Sequence, residues 1–240
     1  MIIKAVNDRR SVTITELCEI LGVSSSTVKR DLINLANEGR IIKVRGGAMS
    51  ISDSFSSVEK NVEEKASICT AEKEAIAEYA ASLIKNGDFV FLDAGTTTEK
   101  MIDHLKVKDV TFVTNGFIHA KKLAARGFKV FITGGEIKSS TEAIVGAECV
   151  LTLKNYNFNK CFMGTNGISL TAGFTTPDVN EAKVKSAAIE SSREAYILAD
   201  HSKFDEVSSA TFAQLGKALI ITDTVPKKKY KEAARITEVG

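Results

Sequence analysis

Between Thr13 and Ala48 the chain reads TITELCEILGVSSSTVKRDLINLANEGRIIKVRGGA, and the spacing of caps, glycines and apolar residues there constrains the fold more than any other stretch. Thr13 and Glu16 have the spacing of a capping box, in which the threonine hydroxyl accepts an unpaired helix amide and the glutamate reaches back to the cap. Leu17, Ile20 and Leu21 then make the apolar face of a short helix, and Gly22 stands where the chain leaves it. Ser24 suits the cap of a second helix, whose Val28, Leu32 and Leu35 follow the spacing that turns one stripe to a core. The opposite face carries Ser25, Ser26, Thr27, Lys29 and Arg30, short hydroxyls and long cations near a helix start. Beyond Gly39, Ile41 to Val44 suits a short strand, and Arg45, Gly46 and Gly47 suit a tight turn.

Helices around a glycine turn, followed by a basic glycine hairpin, are laid out as in a winged helix-turn-helix, whose second helix enters the major groove of DNA. On that reading Ser25, Ser26, Thr27, Lys29 and Arg30 contact DNA, with Arg30 reading base edges. Lys43, Arg45 and Gly46 belong to a wing pressed on the sugar-phosphate backbone. A helical hairpin with a solvated charged face would explain each feature alone; cap, turn, stripe and wing in succession favour DNA. The charge agrees: residues 1–48 hold eight Lys or Arg against five Asp or Glu, and the rest of the chain holds 24 against 25. Only Met1 to Val6 precede the polar NDRRS stretch, which leaves room for little more than one turn of a first helix. Ile2, Ile3 and Val6 are therefore expected to pack poorly, so that either the true start lies upstream or the unit leans on a partner subunit.

The expected organisation is a DNA-binding domain over 1–50, a linker and connecting helix over 51–71, and an α/β domain over 72–240. From Glu72 a helical pattern through Ile76, Ala80 and Leu83 ends at Asn86-Gly87, and Phe89 to Leu92 follows as a buried strand. Val110–Val113, Lys129–Ile132, Lys160–Met163, Glu194–Ala199 and Ala218–Thr222 repeat the alternation. It predicts a mostly parallel sheet with helices on both faces.

Ligands of such sheets bind outside the carboxyl ends of the strands. The first strand there opens into Asp93, Ala94, Gly95, Thr96, Thr97 and Thr98, small and hydroxyl-bearing residues at a helix start that suit a phosphate. Later strand ends carry Thr114-Asn115-Gly116, Thr133-Gly134-Gly135, Gly164-Thr165-Asn166-Gly167 and Asp200-His201-Ser202-Lys203. Each is explained singly by turns and caps; together they converge as a polar small-molecule pocket requires. Glu181 and Lys185, one helical turn apart, either face that pocket or form a surface ion pair. Lys138, Ser139 and Ser140 either help select the ligand or form an exposed loop.

With both regions in view, the chain resembles the DeoR family of bacterial transcriptional regulators over nearly its full length. The resemblance rests on the front stretch and on DAGTTT, TN, TGGE, GTNGI, GFTTPD, EAKVK and ADHSKF behind it. It implies a repressor of a sugar-catabolic operon, released from operator DNA by a phosphorylated sugar held in a domain similar to ribose-5-phosphate isomerase. The implied effector residues are Asp93, Gly95, Thr96, Thr97, Thr98, Thr114, Asn115, Gly134, Gly135, Asn166, Gly167, Glu181, Lys185, Asp200 and Lys203. The sequence departs from the family at Lys29, where arginine is frequent, and at Asn166, where aspartate is common. Lys29, a point charge, suits phosphate better than guanine. Asn166 cannot act as a general base.

The competing reading is a sugar-phosphate isomerase that carries a DNA-binding module, with Glu181 or Asp93 as its base. No GxSxG, Walker loop or CxxC pair is present, and no cofactor or metal is expected. Cys18, Cys69, Cys149 and Cys161 are scattered as reduced, buried thiols would be. Without a span-length apolar run or a secretory signal arrangement, a cytoplasmic location is expected, with double-stranded operator DNA, a phosphorylated sugar and a homodimer or homotetramer as partners.

Overall fold

In a computed structural model of the chain the helix starts fall where the capping chemistry puts them. The structure describes residues 1–9, 11–38, 40–44, 46–49 and 61–240, and only the backbone of 7–9, 11, 42, 44 and 49. Two units are formed, Met1–Ser56 and Ser57–Gly240.

The first unit comprises α1 (Ile2–Arg9), β1 (Ser11–Thr13), α2 (Ile14–Leu21), α3 (Ser25–Asn37), β2 (Ile42–Val44) and β3 (Gly47–Met49). Thr13 N–H donates to Glu16 Oε2 at 2.8 Å, and Glu16 N–H donates to Thr13 Oγ1 at 3.2 Å, closing the capping box. Gly22 ends α2 at φ 65°, a left-handed conformation that glycine adopts without steric cost. The three strands form an antiparallel sheet in the order β1-β3-β2. Leu17, Val28, Leu32, Ile41 and Ala48 fill the core beneath it.

Two expectations for this unit are corrected. The first helix runs eight residues, through the polar Asn7–Arg9, and Ile2 and Val6 are buried in the core beside Val12 and Leu17. Ile20, assigned to the apolar face, is 38% exposed, because α2 is short and Leu17 and Leu21 already cover the side that meets α3.

The second unit begins with α4 (Val62–Ser67) and α5 (Thr70–Ser82), then β4 (Phe89–Leu92), α6 (Thr96–His104), β5 (Thr111–Thr114), α7 (Phe117–Ala125) and β6 (Lys129–Ile132). A hairpin, β7 (Glu136–Lys138) and β8 (Ala143–Val145), leads to α8 (Ala147–Lys154) and β9 (Phe158–Gly164). There follow β10 (Gly167–Ser169), β11 (Gly173–Thr176), α9 (Val179–Glu190), β12 (Ser192–Leu198), β13 (Ala210–Ala213), β14 (Leu219–Thr222), α10 (Lys229–Ala233) and β15 (Arg235–Glu238).

Seven strands form one parallel sheet in the order β15-β14-β12-β9-β4-β5-β6. Alternate residues serve opposite faces. Val90 and Leu92 join Ile76, Ala80, Met101 and Phe112 on one side, while Phe91 joins Cys161, Met163, Val184 and Ile197 on the other. Both faces are thus covered, as the near-continuous apolar strands require. The small antiparallel sheet β10-β11-β13 and the β7-β8 hairpin lie where connecting loops were expected. At the far edge β6 is largely exposed, with Phe131 at 41% and Ile132 at 45%. Cys149 and Cys161 are buried free thiols, as expected, whereas Cys18 and Cys69 are half-buried. No helix among the described residues is long and apolar enough to cross a membrane.

From β4 the chain builds outward through β5 and β6 in one direction and through β9, β12, β14 and β15 in the other. The order therefore reverses between β4 and β9, and the loops leaving those two strands diverge to open a crevice.

Candidate functional site

In the first unit, Ser24 caps α3 by accepting from Thr27 N–H at 3.3 Å, and its hydroxyl lies 3.0 Å from Thr27 Oγ1. The cap holds the helix start, and Val28 and Leu32 anchor the opposite stripe in the core. Ser25, Ser26, Thr27, Lys29 and Arg30 are left exposed, the arrangement a recognition helix needs. Across the hairpin Lys43 is exposed, and Gly46 turns at φ 91°, its carbonyl accepting from Ile14 N–H at 2.9 Å. Arg45 lies outside the described residues.

In the second unit a cleft opens at the ends of β4 and β9, where the strand order reverses. Its lining includes Asp93, Gly95, Thr96 and Thr97 from the first loop, Asn166 after β9, Glu181 and Lys185 from α9, and Asp200 and Lys203 after β12. Gly95 is the N-cap residue of α6, and among the described residues no side chain caps this helix. Glu99, the acidic residue of its first turn, pairs with Lys122 at 2.7 Å, and Gly95, Thr96 and Thr97 line the cleft at the positive end of the helix dipole. Beneath them His119 is buried, with Nε2 3.2 Å from Gly95 O and 3.2 Å from Thr98 Oγ1. Burial drives its pKa down to about 4, so that the ring supports the loop as a neutral group.

Lys185 Nζ pairs with Asp93 and donates to Gly164 O at 3.1 Å, and Asp93 Oδ2 accepts from Gly164 N–H at 3.2 Å. The pair thus ties α9 to both strand ends. Burial pushes the Asp93 carboxyl up, against the pull of Lys185. Glu181 accepts from Thr141 Oγ1 at 2.7 Å, Thr176 Oγ1 at 3.1 Å and Lys138 Nζ at 3.2 Å. Burial works to raise its pKa, but Lys185, Thr141 and Lys138 outweigh it and keep the carboxylate ionised. Asp200 behaves alike: burial is overcome by Lys203 and by the Ser202 hydrogen bonds.

Glu181 and Lys185 are consequently not a surface ion pair: both are buried, and each bonds to other partners. Several residues expected to touch ligand stand behind the lining instead. Thr98 spends its hydroxyl on Asp93 O and Gly95 O, at 2.6 and 2.8 Å. Thr114 Oγ1 accepts from Gly116 N–H at 3.0 Å, and Asn115 bridges Ala94 N–H and Ile144 O at 2.9 and 3.2 Å. Gly135, at φ 134°, packs on the carbonyl of Val145, and Gly167 lies within β10. Gly134 likewise falls outside the lining. Thr98, Thr114 and Asn115 build the loops because a buried polar side chain must bond to its nearest backbone groups.

Lys65, Lys73, Thr141, Gly164 and Thr165 line the cleft without having been assigned to it from sequence. Gly164 and Thr165 shared the Gly-Thr-Asn-Gly loop that pointed there; the two lysines carried no local signal. Lys138, read as a selector or an exposed loop residue, closes the cleft's back wall through Glu181 and Asp178, the latter at 3.4 Å. Outside the lining, Glu72, His201 and Asp223 place one ligand atom each within 4.8 Å of one another. The His201–Asp223 hydrogen bond, 2.6 Å, holds that imidazole above its ordinary pKa.

Comparison with known proteins places both units. Residues 1–54 match the DeoR-like helix-turn-helix domain, and residues 68–224 match the DeoR C terminal sensor domain. An uncharacterized HTH-type transcriptional regulator FruR of Bacillus subtilis (strain 168) is 44% identical over 223 residues, covering 92% of this chain and 88% of the relative. The lactose phosphotransferase system repressor of Staphylococcus aureus (strain NCTC 8325 / PS 47) is 35% identical over 242 residues, covering 99% and 96%. Among solved structures, ribose 5-phosphate isomerase A of Methanocaldococcus jannaschii aligns with 55% of this chain and 53% of its own, at 16% identity and a TM-score of 0.41. A winged helix with an exposed polar recognition face, joined in sequence to a sensor domain and matched over nearly its whole length, makes this chain a member of the DeoR family of transcriptional regulators.

Proposed function

We propose that the protein represses a sugar-catabolic operon, binding operator DNA through α3 and the β2-β3 wing and leaving it when the cleft takes up a phosphorylated sugar. The observation that carries the effector class is the uncapped start of α6 at the strand-order reversal, set among lysines. Lys65, Lys73, Lys185 and Lys203 face Asp93, Glu181 and Asp200 across the cleft. One surplus positive charge and a helix end worth roughly half a charge favour a single phosphate group. Asn166 and the ionised Glu181 and Asp200 then supply acceptors for sugar hydroxyls. Repression rather than activation follows the sense of the Staphylococcus relative's name.

The isomerase reading fares worse on geometry. Glu181 accepts three hydrogen bonds and is held below its ordinary pKa, which makes it a weak base. Asp93 is committed to Lys185. Titration calorimetry with ribose 5-phosphate, fructose 1-phosphate, fructose 6-phosphate and glucose 6-phosphate, each beside its free sugar, tests the assignment. Binding of a phosphorylated form at least a hundredfold tighter than its free sugar, without turnover, is expected. Equal affinity for a free sugar would remove the phosphate role of α6, and aldose-ketose conversion would restore the enzyme.

A further inference from the structure

Outside the cleft, Glu72, His201 and Asp223 come together from three elements of the sensor domain, and each offers a metal-ligating atom within 4.8 Å of the other two. Among the described residues no other three such side chains gather in this way. His201 opens a short 3₁₀ turn, His201–Lys203, after β12, and Asp223 directly follows β14. Strands β12 and β14 are parallel neighbours, so the two residues stand side by side at the carboxyl edge of the sheet. Glu72 reaches the same place from the first turn of α5.

Asp223 is already oriented. Its Oδ1 accepts from His201 N–H at 2.7 Å and from Thr222 Oγ1 at 3.3 Å, and its Oδ2 meets the imidazole Nδ1 at 2.6 Å. Outer hydrogen bonds of this kind commonly hold the carboxylates of metal sites. Glu72 differs: among the described residues its carboxylate makes no hydrogen bond or ion pair, although it stands beside an imidazole. Two carboxylates against one imidazole leave the group net negative in either charge state of the ring. The charges that act most on that ring, those of Asp223, Asp200 and Glu72, are all negative.

We propose that Glu72, His201 and Asp223 bind a divalent transition-metal ion of the zinc type, which clamps the start of α5 to the ends of β12 and β14. Imidazole nitrogen and carboxylate oxygen are both zinc donors, and three protein ligands leave a fourth position, which the exposure of His201 opens to water. Magnesium and calcium favour all-oxygen sites with more ligands, and copper(I) favours sulfur, so the donor set disfavours all three. Zinc ligands lie about 2.0–2.2 Å from the ion, and in a tetrahedron they stand about 3.4 Å from one another. Reaching that geometry takes a turn of the imidazole away from Oδ2 and a movement of about an ångström by Glu72, the member of the group that no hydrogen bond restrains. Positions 72, 201 and 223 share no local spacing, which is why no metal is expected from the sequence.

Calorimetric titration of the full chain with zinc chloride, after stripping with EDTA, tests the site. One ion per chain is expected, with affinity weakened at least about tenfold in Glu72→Gln and in His201→Gln, and unchanged in His104→Gln, which alters a histidine outside the group. Zinc should raise the melting temperature of the unsubstituted protein and leave those of Glu72→Gln and His201→Gln nearly where they stand in EDTA, a comparison that also checks that each variant folds. Cobalt(II) in place of zinc reads the donor set on the unsubstituted protein: visible bands without thiolate charge transfer in the near ultraviolet are expected. Absence of saturable binding by the unsubstituted protein, undiminished affinity in Glu72→Gln or His201→Gln, or a loss in His104→Gln overturns the proposal. So does a thiolate band, which would move the ion to one of the half-buried thiols, Cys18 or Cys69.

Discussion

His119 shows how one side chain ties pH to the loop after β4. Its imidazole is neutral in the folded chain down to about pH 4, whereas an unfolded histidine takes up its proton near 6.5. Below 6.5 the unfolded state therefore binds more protons, and sensor-domain stability falls as the pH drops through that window, by about 3 kcal/mol at its lower end. Urea unfolding at pH 7 and pH 5 should show this loss, and His119→Gln should flatten it; parallel pH dependences would place the titration elsewhere. Lys185 makes the complementary case. Lys185→Met leaves Asp93 buried without its cation and should destabilise the sensor domain by about 3–5 kcal/mol, with Asp93→Asn in the same chain restoring much of it. A loss under 1 kcal/mol in urea titrations would mean that the pair contributes little. Sequence reading found Glu181 and Lys185 by their helical spacing, but not their partners. Lys185 reaches Asp93 from 92 residues away, a juxtaposition that only the folded sheet creates.

Elements were legible in proportion to the strength of their local chemistry. The capping box, the Gly22 turn and the apolar strands announce themselves through side-chain chemistry at fixed spacings, and the structure has them, β4 buried and β6 formed but largely exposed at the sheet edge. The short antiparallel strands did not: β10 (Gly-Ile-Ser) and β11 (Gly-Phe-Thr-Thr) each open on glycine, end on hydroxyl residues and resemble turns until paired. Strand β15, reading Arg-Ile-Thr-Glu at the sheet edge, has no apolar run to betray it. In the wing, Gly47 lies against β1 so closely that a Cβ would stand 2.2 Å from the carbonyl oxygen of Val12. Gly47→Ala should therefore part β1 from β3, lowering the melting temperature of the DNA-binding unit and its DNA affinity together; calorimetry showing an unchanged transition would contradict the pairing. On α3, Arg30→Ala should cost about 1–3 kcal/mol of operator preference, while Lys29→Gln should weaken all DNA alike and make the salt dependence shallower by about one unit. Equal losses on operator and random DNA for Arg30→Ala would remove it from base reading.

At the scale of the whole molecule, the two units make a regulator only if the cleft in one changes what the other binds. Read as a dimer on a two-fold operator, the protein would span half-sites about 34 Å apart, or a multiple of that distance. Hundredfold release requires about 2.7 kcal/mol of coupling, within what one ligand commonly supplies. Composition and motifs announced both units, but two of the cleft lysines were hidden, because Lys65 and Lys73 have ordinary neighbours in sequence and meet only in the folded chain. The most direct measurement is fluorescence anisotropy of labelled DNA from upstream of the protein's own operon, titrated with protein alone and with the four sugar phosphates. Tight, salt-sensitive binding weakened about a hundredfold by one phosphorylated sugar, and not by its free sugar, is the predicted result. Binding that no sugar phosphate alters, although one of them occupies the cleft by calorimetry, would contradict the account.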